Sequence, residues 1–306
     1  MDYDLIIIGA GAAGMTAGIY ASRYQLQNVI IGDLVGGLTT EAHKIFNWPG
    51  DPGISGFELT QKMAEHVRQS EGEIISDLVT DIEQQIDSTF IVKTKAGKNF
   101  TSKRILFTSG TKHRKLGVDR EDELSGRGVA YCATCDGPFF KDRVVAMVGG
   151  GNSVISAALY LADVASHVYV ICRAPMLKGE PVWREELIKR PNVTILYETN
   201  IIGLVGQEKL EAITLDKSFE EKSEIKLDGL FIEIGLLPQT ELFKKLGGET
   251  DAAGYIRVKP DMSTNVKNVY AAGDSTDASN NFHQIVTACS EGAVAADAIY
   301  KSLSVA

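Results

Sequence analysis

The chain has 306 residues, of which 44% are hydrophobic and 23% are charged, and this balance excludes a disordered, collagen-like or fibrous coiled-coil protein. Asp and Glu number 40 against 31 Lys and Arg, and the net charge of −9 argues against a broad surface for nucleic acid or anionic membranes. Thirty glycines stand against eight prolines. Because glycine is needed where the backbone turns at positive φ or approaches a ligand, we expect glycines to mark the functional sites.

The sequence carries no sign of export or membrane insertion. No apolar run reaches the roughly 18–20 residues that a membrane-spanning helix needs. The segment after Met1 enters a strand-like run directly and lacks the features of a signal peptide. Four cysteines are too few for a disulfide framework at this length. We therefore expect a cytoplasmic protein that binds neither membrane nor nucleic acid.

The first predicted unit is a strand, a glycine-rich turn, a helix and a second strand. Leu5–Ile8 and Asn28–Ile31 are short apolar runs typical of parallel strands, and residues 15–23 have helical character. The turn between the first strand and the helix has the pattern G-x-G-x-x-G and contains Gly9, Gly11, Ala12, Ala13 and Gly14. This order of elements predicts a dinucleotide-binding unit.

Each glycine of this turn has a distinct predicted role. Gly9 permits the tight turn, Gly11 lets the backbone approach a pyrophosphate, and Gly14 lets the helix pack closely on the strand. The free N–H groups at the helix N-terminus then face the phosphates. Asp33 follows Gly14 by nineteen residues, where an acid accepts a hydrogen bond from a ribose hydroxyl. A solvated turn aspartate is the alternative interpretation of Asp33.

A second unit of the same kind begins about 140 residues later. Val144–Val148 is its first strand, and the turn that follows contains Gly149, Gly151, Asn152 and Ser153. Val154 occupies the position that Gly or Ala normally holds, so we expect looser packing of helix on strand there. After the next strand, Arg173 stands where an acid would select NAD, which favours NADP. A degenerate domain kept as a scaffold is the alternative.

With the remaining segments, the sequence predicts the α/β fold class. We expect two Rossmann-like, three-layer, parallel-sheet domains, of which the second is inserted into the first. Further strands are predicted within residues 76–108 and 193–234, a strand leads into Gly273 and Asp274, and Ile285–Leu303 is a predicted alanine-rich helix. Polar segments near residues 111–115 and 238–241 mark the boundaries. The predicted domains are 1–113 plus 241–306, which carries the first glycine turn, and 114–240, which carries the second. Trp48 either lines a flat cofactor or caps a core.

Cys132 and Cys135 form a C-x-x-C pair and are the candidate redox centre. Two cysteines at this spacing can close a small disulfide ring, and one thiol of such a pair commonly has a depressed pKa. Asp136 follows directly and can exchange a proton with a leaving thiolate. A zinc site would need two more ligands at suitable spacing, and Cys172 and Cys289 do not supply it, so no metal is expected. An inert structural pair is the other alternative.

These motifs, in this order, resemble the low-molecular-weight thioredoxin reductases, which are FAD-dependent pyridine nucleotide-disulfide oxidoreductases. The resemblance covers essentially the whole chain, and the Cys-Ala-Thr-Cys-Asp-Gly string before the second Rossmann strand is its most specific part. The segments that carry it are Gly9–Gly14, Asn47–Gly50, Gly126–Gly137, Gly149–Ser153, Ile234–Gly235 and Ala272–Asp274.

The resemblance implies a cofactor, a donor and a role for each site residue. Cys135 would face the flavin, Cys132 would attack the substrate disulfide, and Asp136 would serve as the general acid. NADPH or NADH would bind at Gly149, Gly151, Asn152, Ser153 and Arg173. FAD would contact Gly9, Gly11, Ala12, Ala13, Gly14, Asp33, Gly37, Leu38, Asn47, Val79, Thr108, Ser109, Gly110, Gly273, Asp274, His283, Gln284 and Ile285. The family also suggests a homodimer.

The sequence departs from the family at the donor site. The family signature His-Arg-Arg reads here Cys172-Arg173-Ala174, and the loss of one Arg would weaken NADPH binding roughly 10- to 100-fold. His283 also stands where the family commonly has Arg. The leading hypothesis is a thioredoxin-disulfide reductase that uses NAD(P)H. The alternatives are the same chemistry with reduced ferredoxin or another donor, a different dithiol protein as substrate, and a flavin-containing redox sensor or binding module without turnover.

Overall fold

A computed structural model describes residues 2–42, 44–45 and 47–304. Within these residues the strands are β1 (Asp2–Ile8), β2 (Asn28–Gly32), β3 (Glu73–Ser76), β4 (Val79–Gln84), β5 (Phe90–Thr94), β6 (Asn99–Phe107), β7 (Thr111–His113), β8 (Val129–Ala130), β9 (Val144–Gly149), β10 (His167–Cys172), β11 (Val193–Tyr197), β12 (Ile201–Val205), β13 (Ala212–Phe219), β14 (Lys222–Lys226), β15 (Gly229–Glu233), β16 (Leu236–Pro238) and β17 (Val269–Ala271).

The α-helices of the same residues include four long ones and several short ones. They are α1 (Ala12–Arg23), α2 (Gly56–Gln69), α3 (Glu121–Leu124), α4 (Ala133–Asp136), α5 (Asn152–Val164), α6 (Pro181–Ile188), α7 (Glu241–Lys245) and α8 (Ile285–Ser304). Short 3₁₀ helices cover Gly37–Glu41, Gly137–Phe140 and Ala278–Asn281. No helix of the described part of the chain is both long and apolar enough to cross a membrane.

The chain divides into two compact units. One comprises the described residues of Met1–Lys112 and Leu237–Ala306, and the other is His113–Leu236. The predicted limits at 113/114 and 240/241 lie within a few residues of these divisions. β7 and β16, at the two crossings between the units, form a two-stranded sheet. The predicted α/β fold class, with the second Rossmann-like unit inserted into the first, is confirmed.

The first unit is built on a seven-stranded sheet in the order β3-β2-β1-β6-β5-β4, with β17 also paired to β6. β1, β2, β3, β6 and β17 are parallel, whereas β4 and β5 extend the sheet as antiparallel strands. Side chains of β1 alternate between the two faces: Leu5 and Ile7 pack with α1 and α8, and Ile6 and Ile8 pack with residues of β4 and β5. Both faces are covered, which explains the continuous apolar run in the sequence.

The second unit repeats this arrangement on a smaller scale. Its sheet has the order β11-β10-β9-β15-β8, and all of its pairings are parallel. Val145 and Met147 of β9 pack on the side of α5, while Ala146 and Val148 pack against the antiparallel sheet β12-β13-β14. Both units are therefore three-layered, with a glycine turn after β1 in the first unit and after β9 in the second.

α8 brings the C-terminal segment back onto the first unit. Its buried face consists of small residues such as Ala288, Gly292 and Ala295, which allows a close approach to α1. A Cβ atom on Gly292 would lie 2.2 Å from the backbone oxygen of Ala13. The start of α8 is thereby held beside the first turn of α1, where the sequence predicts the phosphate site.

Candidate active site

The first glycine turn is packed against the end of β6. Gly9 has φ +113°, and a Cβ atom there would lie 2.2 Å from the carbonyl oxygen of Thr108. The Thr108 hydroxyl donates to the Gly9 carbonyl at 2.8 Å, which ties the turn to the strand. A Cβ atom on Gly14 would lie 2.0 Å from the same Gly9 oxygen. Only glycine fits at Gly9 and Gly14, because each faces backbone.

Gly11 differs, because it faces open space. It is the N-cap of α1, no described side chain caps the helix there, and a Cβ atom on Gly11 would meet no atom within 4 Å. Gly37 approaches from the other side, since its Cβ position is 3.3 Å from the Gly11 Cα. The first N–H groups of α1, at Ala12 and Ala13, are thus left for a ligand. This cradle fits the pyrophosphate of a dinucleotide.

A cleft of about 210 Å³ continues from this turn along the carboxyl edge of the parallel strands. Gly9, Asp33, Val79 and Ser109, all predicted from the sequence, lie in its wall, together with Asp77. Asp33 is exposed directly after β2, and its Oδ1 accepts from the Leu34 N–H at 3.0 Å, so the second carboxylate oxygen is free to accept from a sugar. The carboxyl edge of a parallel sheet is where such folds bind nucleotides.

The turn after β17 brings Gly273 and Asp274 to the first turn of α1. A Cβ atom on Gly273 would lie 2.9 Å from the Ala13 Cβ. Burial raises the pKa of the Asp274 carboxyl, and the nearby Glu291 raises it further, while His283 lowers it. Asp274 therefore carries a charge that the protein stabilises poorly, at a position suited to accept hydrogen bonds from a ligand.

The buried carboxylate of Glu291 organises this turn. Its Oε2 accepts from the Gly273 N–H at 2.8 Å and from the Thr276 hydroxyl at 3.3 Å, and its Oε1 accepts from the Ser279 hydroxyl at 2.5 Å. Sequence reasoning missed Glu291. Its spacing from Ala288 and Ala295 could have identified it, because this spacing puts all three residues on the buried face of α8.

The other predicted residues of the first unit lie in separate segments, two of which meet at the start of α8. The Asn47 amide donates to the Gln284 side-chain oxygen at 2.8 Å, which joins two distant parts of the sequence. The His283 Nε2–H donates to the Thr276 carbonyl at 3.3 Å. Ile285 begins α8, Leu38 follows Gly37 in its 3₁₀ helix, and the Gly110 carbonyl accepts from the Gln239 N–H at 3.0 Å.

Trp48 packs against a small cluster formed by Ile45, Ile54 and Leu59. This is the packing that the capping interpretation of Trp48 requires.

Cys132 and Cys135 of the second unit are joined by a disulfide bond, with their Cα atoms 5.3 Å apart. Cys132 is the N-cap of the short helix α4, and its Sγ accepts from the Cys135 N–H at 3.1 Å. The Asp136 N–H donates to the Cys132 carbonyl at 3.1 Å. Cys135 is exposed, whereas Cys132 and Asp136 are half-buried. The three residues predicted for the redox centre are thus brought together.

The second glycine turn has the same arrangement as the first at Gly149 and Gly151. A Cβ atom on Gly149, which has φ +140°, would lie 2.2 Å from the Glu233 carbonyl oxygen and 2.5 Å from the Val154 side chain. Val154 is fully buried, and it fits because Gly149 has no side chain, so the bulkier residue is accommodated at this point. Gly151 is the N-cap of α5, and a Cβ atom there would meet nothing within 4 Å. This turn also offers open N–H groups to a phosphate.

The segment after β10 folds against this second turn. The Lys178 N–H donates to the Gly150 carbonyl at 2.7 Å, and the Asn152 side-chain oxygen accepts from the Glu180 N–H at 2.7 Å. Ser153 is exposed in the first turn of α5, and Arg173 is exposed at the end of β10. The backbone of Lys178 is thereby held at the same turn, and its side chain is exposed.

The family is identified by a match over most of the chain. The model of the pyridine nucleotide-disulphide oxidoreductase family matches residues 3–292. The chain therefore belongs to this family of oxidoreductases.

Individual relatives show which oxidoreductases within this family the chain is similar to. A curated thioredoxin reductase from Bacillus subtilis (strain 168) is 38% identical over 97% of this chain and 93% of its own length. The crystal structure of the Lactococcus lactis thioredoxin reductase has a TM-score of 0.91 and 33% identity, covering 99% of this chain and 100% of that one. A ferredoxin-flavin thioredoxin reductase from Clostridium acetobutylicum has a TM-score of 0.54 and 30% identity, covering 100% and 99%. Within the family, the chain falls among the low-molecular-weight thioredoxin reductases.

Proposed function

We propose that the chain is an FAD-dependent thioredoxin-disulfide reductase whose Cys132–Cys135 disulfide passes electrons to thioredoxin. The observation that carries this function is the disulfide itself, which lies in a Rossmann-like unit inserted into a second Rossmann-like unit. The close match to thioredoxin reductases over nearly the whole chain supports the same conclusion.

FAD binds to the first unit, held by the residues of the Gly9–Gly14 turn, the cleft and the turn after β17. Gly11, Ala12 and Ala13 would take the pyrophosphate, and Asp33 would take a ribose hydroxyl. The other proposed contacts are Gly9, Gly14, Gly37, Leu38, Asn47, Val79, Thr108, Ser109, Gly110, Gly273, Asp274, His283, Gln284 and Ile285. Bound FAD supplies a two-electron carrier between the donor and the disulfide.

The chain's own dithiol carries out the exchange with thioredoxin. The Cys132 thiolate attacks one sulfur of the thioredoxin disulfide, which breaks that bond and forms a mixed disulfide. The Cys135 thiolate then attacks the Cys132 Sγ, the Cys132–Cys135 disulfide re-forms, and thioredoxin leaves with two thiols and two electrons. The Cys135 N–H donates to the Cys132 Sγ at 3.1 Å, which supports Cys132 as the attacking thiolate.

Asp136 supplies the proton that the leaving thiolate of thioredoxin needs. It follows Cys135 directly, it is half-buried, and its N–H is anchored on the Cys132 carbonyl. A carboxyl at this position can donate a proton to the departing sulfur and recover it from water. We expect its loss to slow the exchange rather than to abolish FAD binding.

The donor binds at the second glycine turn. Gly149, Gly151, Asn152 and Ser153 would hold the pyrophosphate of NADPH or NADH, and Arg173 would contact a 2′-phosphate. Reduced ferredoxin is the second candidate, and the likeness to a ferredoxin-flavin thioredoxin reductase favours it. Anaerobic titration of the FAD-loaded protein with NADPH, with NADH and with reduced ferredoxin distinguishes these candidate donors. Flavin bleaching by micromolar NADPH contradicts ferredoxin as the sole donor, and bleaching by ferredoxin alone contradicts NAD(P)H.

The family resemblance also supports a homodimer, and the low cysteine count supports a cytoplasmic location. Sedimentation velocity on the purified flavoprotein tests the first of these, and a monomer at micromolar concentration contradicts it. Cell fractionation tests the second.

A further inference from the structure

A second buried carboxylate, Glu121, lies in the unit that carries the redox disulfide. Glu121 begins α3, and its exposed fraction is only 3%. Its Oε1 accepts from the Leu116 N–H at 2.9 Å, and its Oε2 accepts from the Gly117 N–H at 2.7 Å. These bonds tie Glu121 to the segment that enters the second unit. A buried carboxylate held in this way is fixed in position, because moving it would leave charge and backbone donors unpaired.

The third hydrogen bond of Glu121 leads to the redox centre. The Tyr131 hydroxyl donates to the Glu121 Oε1 at 2.5 Å, and Tyr131 is the residue directly before Cys132. The Tyr131 ring also lies 5.7 Å from the His113 ring. Burial, and then the hydrogen bond to Glu121, raise the pKa of Tyr131, so its hydroxyl keeps its proton and remains a donor at neutral pH.

The backbone at Cys132 is thus anchored on both sides. On the N-terminal side, Tyr131 is bound to Glu121, and on the C-terminal side the Cys132 carbonyl accepts a hydrogen bond from the Asp136 N–H. Disulfide closure depends on how often the two thiols meet in the reduced protein, that is, on their effective concentration. An anchor that limits the motion of Cys132 raises this concentration and therefore favours the disulfide over the dithiol.

We propose that Glu121 is a positioning residue which, through the hydroxyl of Tyr131, holds Cys132 in the geometry that closes the disulfide. This inference rests on the proposed function, in which the Cys132–Cys135 pair cycles between dithiol and disulfide. Glu121 touches neither substrate nor cofactor and acts only through Tyr131.

The test is the equilibrium of the Cys132–Cys135 disulfide with glutathione in the FAD-loaded protein. The protein is equilibrated anaerobically in buffers of graded glutathione ratio, free thiols are alkylated, and the dithiol fraction is counted by mass spectrometry. Tyr131→Phe removes the hydroxyl and keeps the ring, and Glu121→Gln keeps the size and removes the charge. Tyr169→Phe is the matched control, since Tyr169 is also a half-buried tyrosine of this unit.

We expect Tyr131→Phe and Glu121→Gln each to shift the equilibrium about tenfold toward the dithiol, which is about 30 mV for a two-electron couple. The double variant should match Tyr131→Phe, because Glu121 acts only through the hydroxyl that this variant removes. Tyr169→Phe should not shift the equilibrium. If Tyr131→Phe gives the same equilibrium as the wild type and Tyr169→Phe, the positioning role is wrong, and this holds even if Glu121→Gln fails to fold.

This readout is independent of thioredoxin. A shifted glutathione equilibrium together with no reduction of thioredoxin by the wild type overturns the proposed function and keeps the role of Glu121. Normal reduction of thioredoxin together with an unshifted equilibrium overturns the role of Glu121 alone.

Discussion

The carboxylate of Glu291 accepts a hydrogen bond from the backbone N–H of Gly273 at 2.8 Å, and so links the middle of α8 to the turn that precedes Asp274. Glu291→Ala leaves the donors at Gly273, Thr276 and Ser279 without this partner. We expect it to lower the free energy of unfolding by about 3 kcal/mol and to weaken FAD binding at least about tenfold.

The matched control for this variant is Asp297→Ala, on the same helix. Asp297 forms an ion pair with Lys301 on the surface, so its loss should cost no more than about 1 kcal/mol. Urea unfolding of the apoprotein and quenching of FAD fluorescence measure the two effects. Equal results for Glu291→Ala and Asp297→Ala would show that Glu291 does not organise the turn.

Gly11→Ala and Gly14→Ala should separate ligand binding from folding. The methyl group of Gly11→Ala enters open space, so stability should change by less than about 1 kcal/mol while FAD binding is lost. The methyl group of Gly14→Ala would meet the Gly9 carbonyl, and we expect a loss of about 2–4 kcal/mol. Apoprotein unfolding together with FAD titration checks both, and normal FAD affinity in Gly11→Ala would be evidence against the phosphate cradle.

We predict that Asp274 makes the stability of the apoprotein depend on pH. Burial raises the pKa of the Asp274 carboxyl in the folded apoprotein above its value in the unfolded chain. The folded state is therefore stabilised while this carboxyl is protonated, and that stability is lost as the pH rises through the raised pKa. The Asp274→Asn apoprotein should therefore be more stable than the wild-type apoprotein at pH 7. The difference should shrink as the pH falls toward about 4, the ordinary pKa of Asp. Thermal unfolding across this range measures it, and a difference that is constant with pH contradicts the assignment.

Gly151→Ala tests the second glycine turn as the donor site. The added methyl group meets nothing within 4 Å, so the fold should be unchanged while the KM for the nicotinamide donor rises about tenfold or more. The FAD content should equal that of the wild type, in contrast to Gly11→Ala. An unchanged KM for NADPH and NADH would place donor binding elsewhere.

The parts of this site that the sequence predicts are those encoded by short spacing. The turns at Gly9–Gly14 and Gly149–Ser153 and the pair Cys132–Cys135 are local patterns, because strand, turn and helix follow each other directly. Glu291 and Glu121 were not predicted as site residues, because their roles depend on contacts across 18 and 10 positions that form only when α8 packs on α1 and α3 closes on Tyr131. The fit of Val154 beside Gly149 likewise depends on how the two residues pack in three dimensions. A motif that is compared one position at a time does not predict such packing.

The most direct test of the account is a single turnover from the reduced protein to thioredoxin. The FAD-loaded wild type and the Cys132→Ser and Cys135→Ser variants are reduced anaerobically, excess reductant is removed, oxidised thioredoxin is added, and its new thiols are counted. All three proteins should retain FAD, because both cysteines belong to the other unit. We predict two thiols per thioredoxin reduced by the wild type and no released dithiol from either variant. Thioredoxin reduction by Cys132→Ser or Cys135→Ser at the wild-type yield would contradict the central claim.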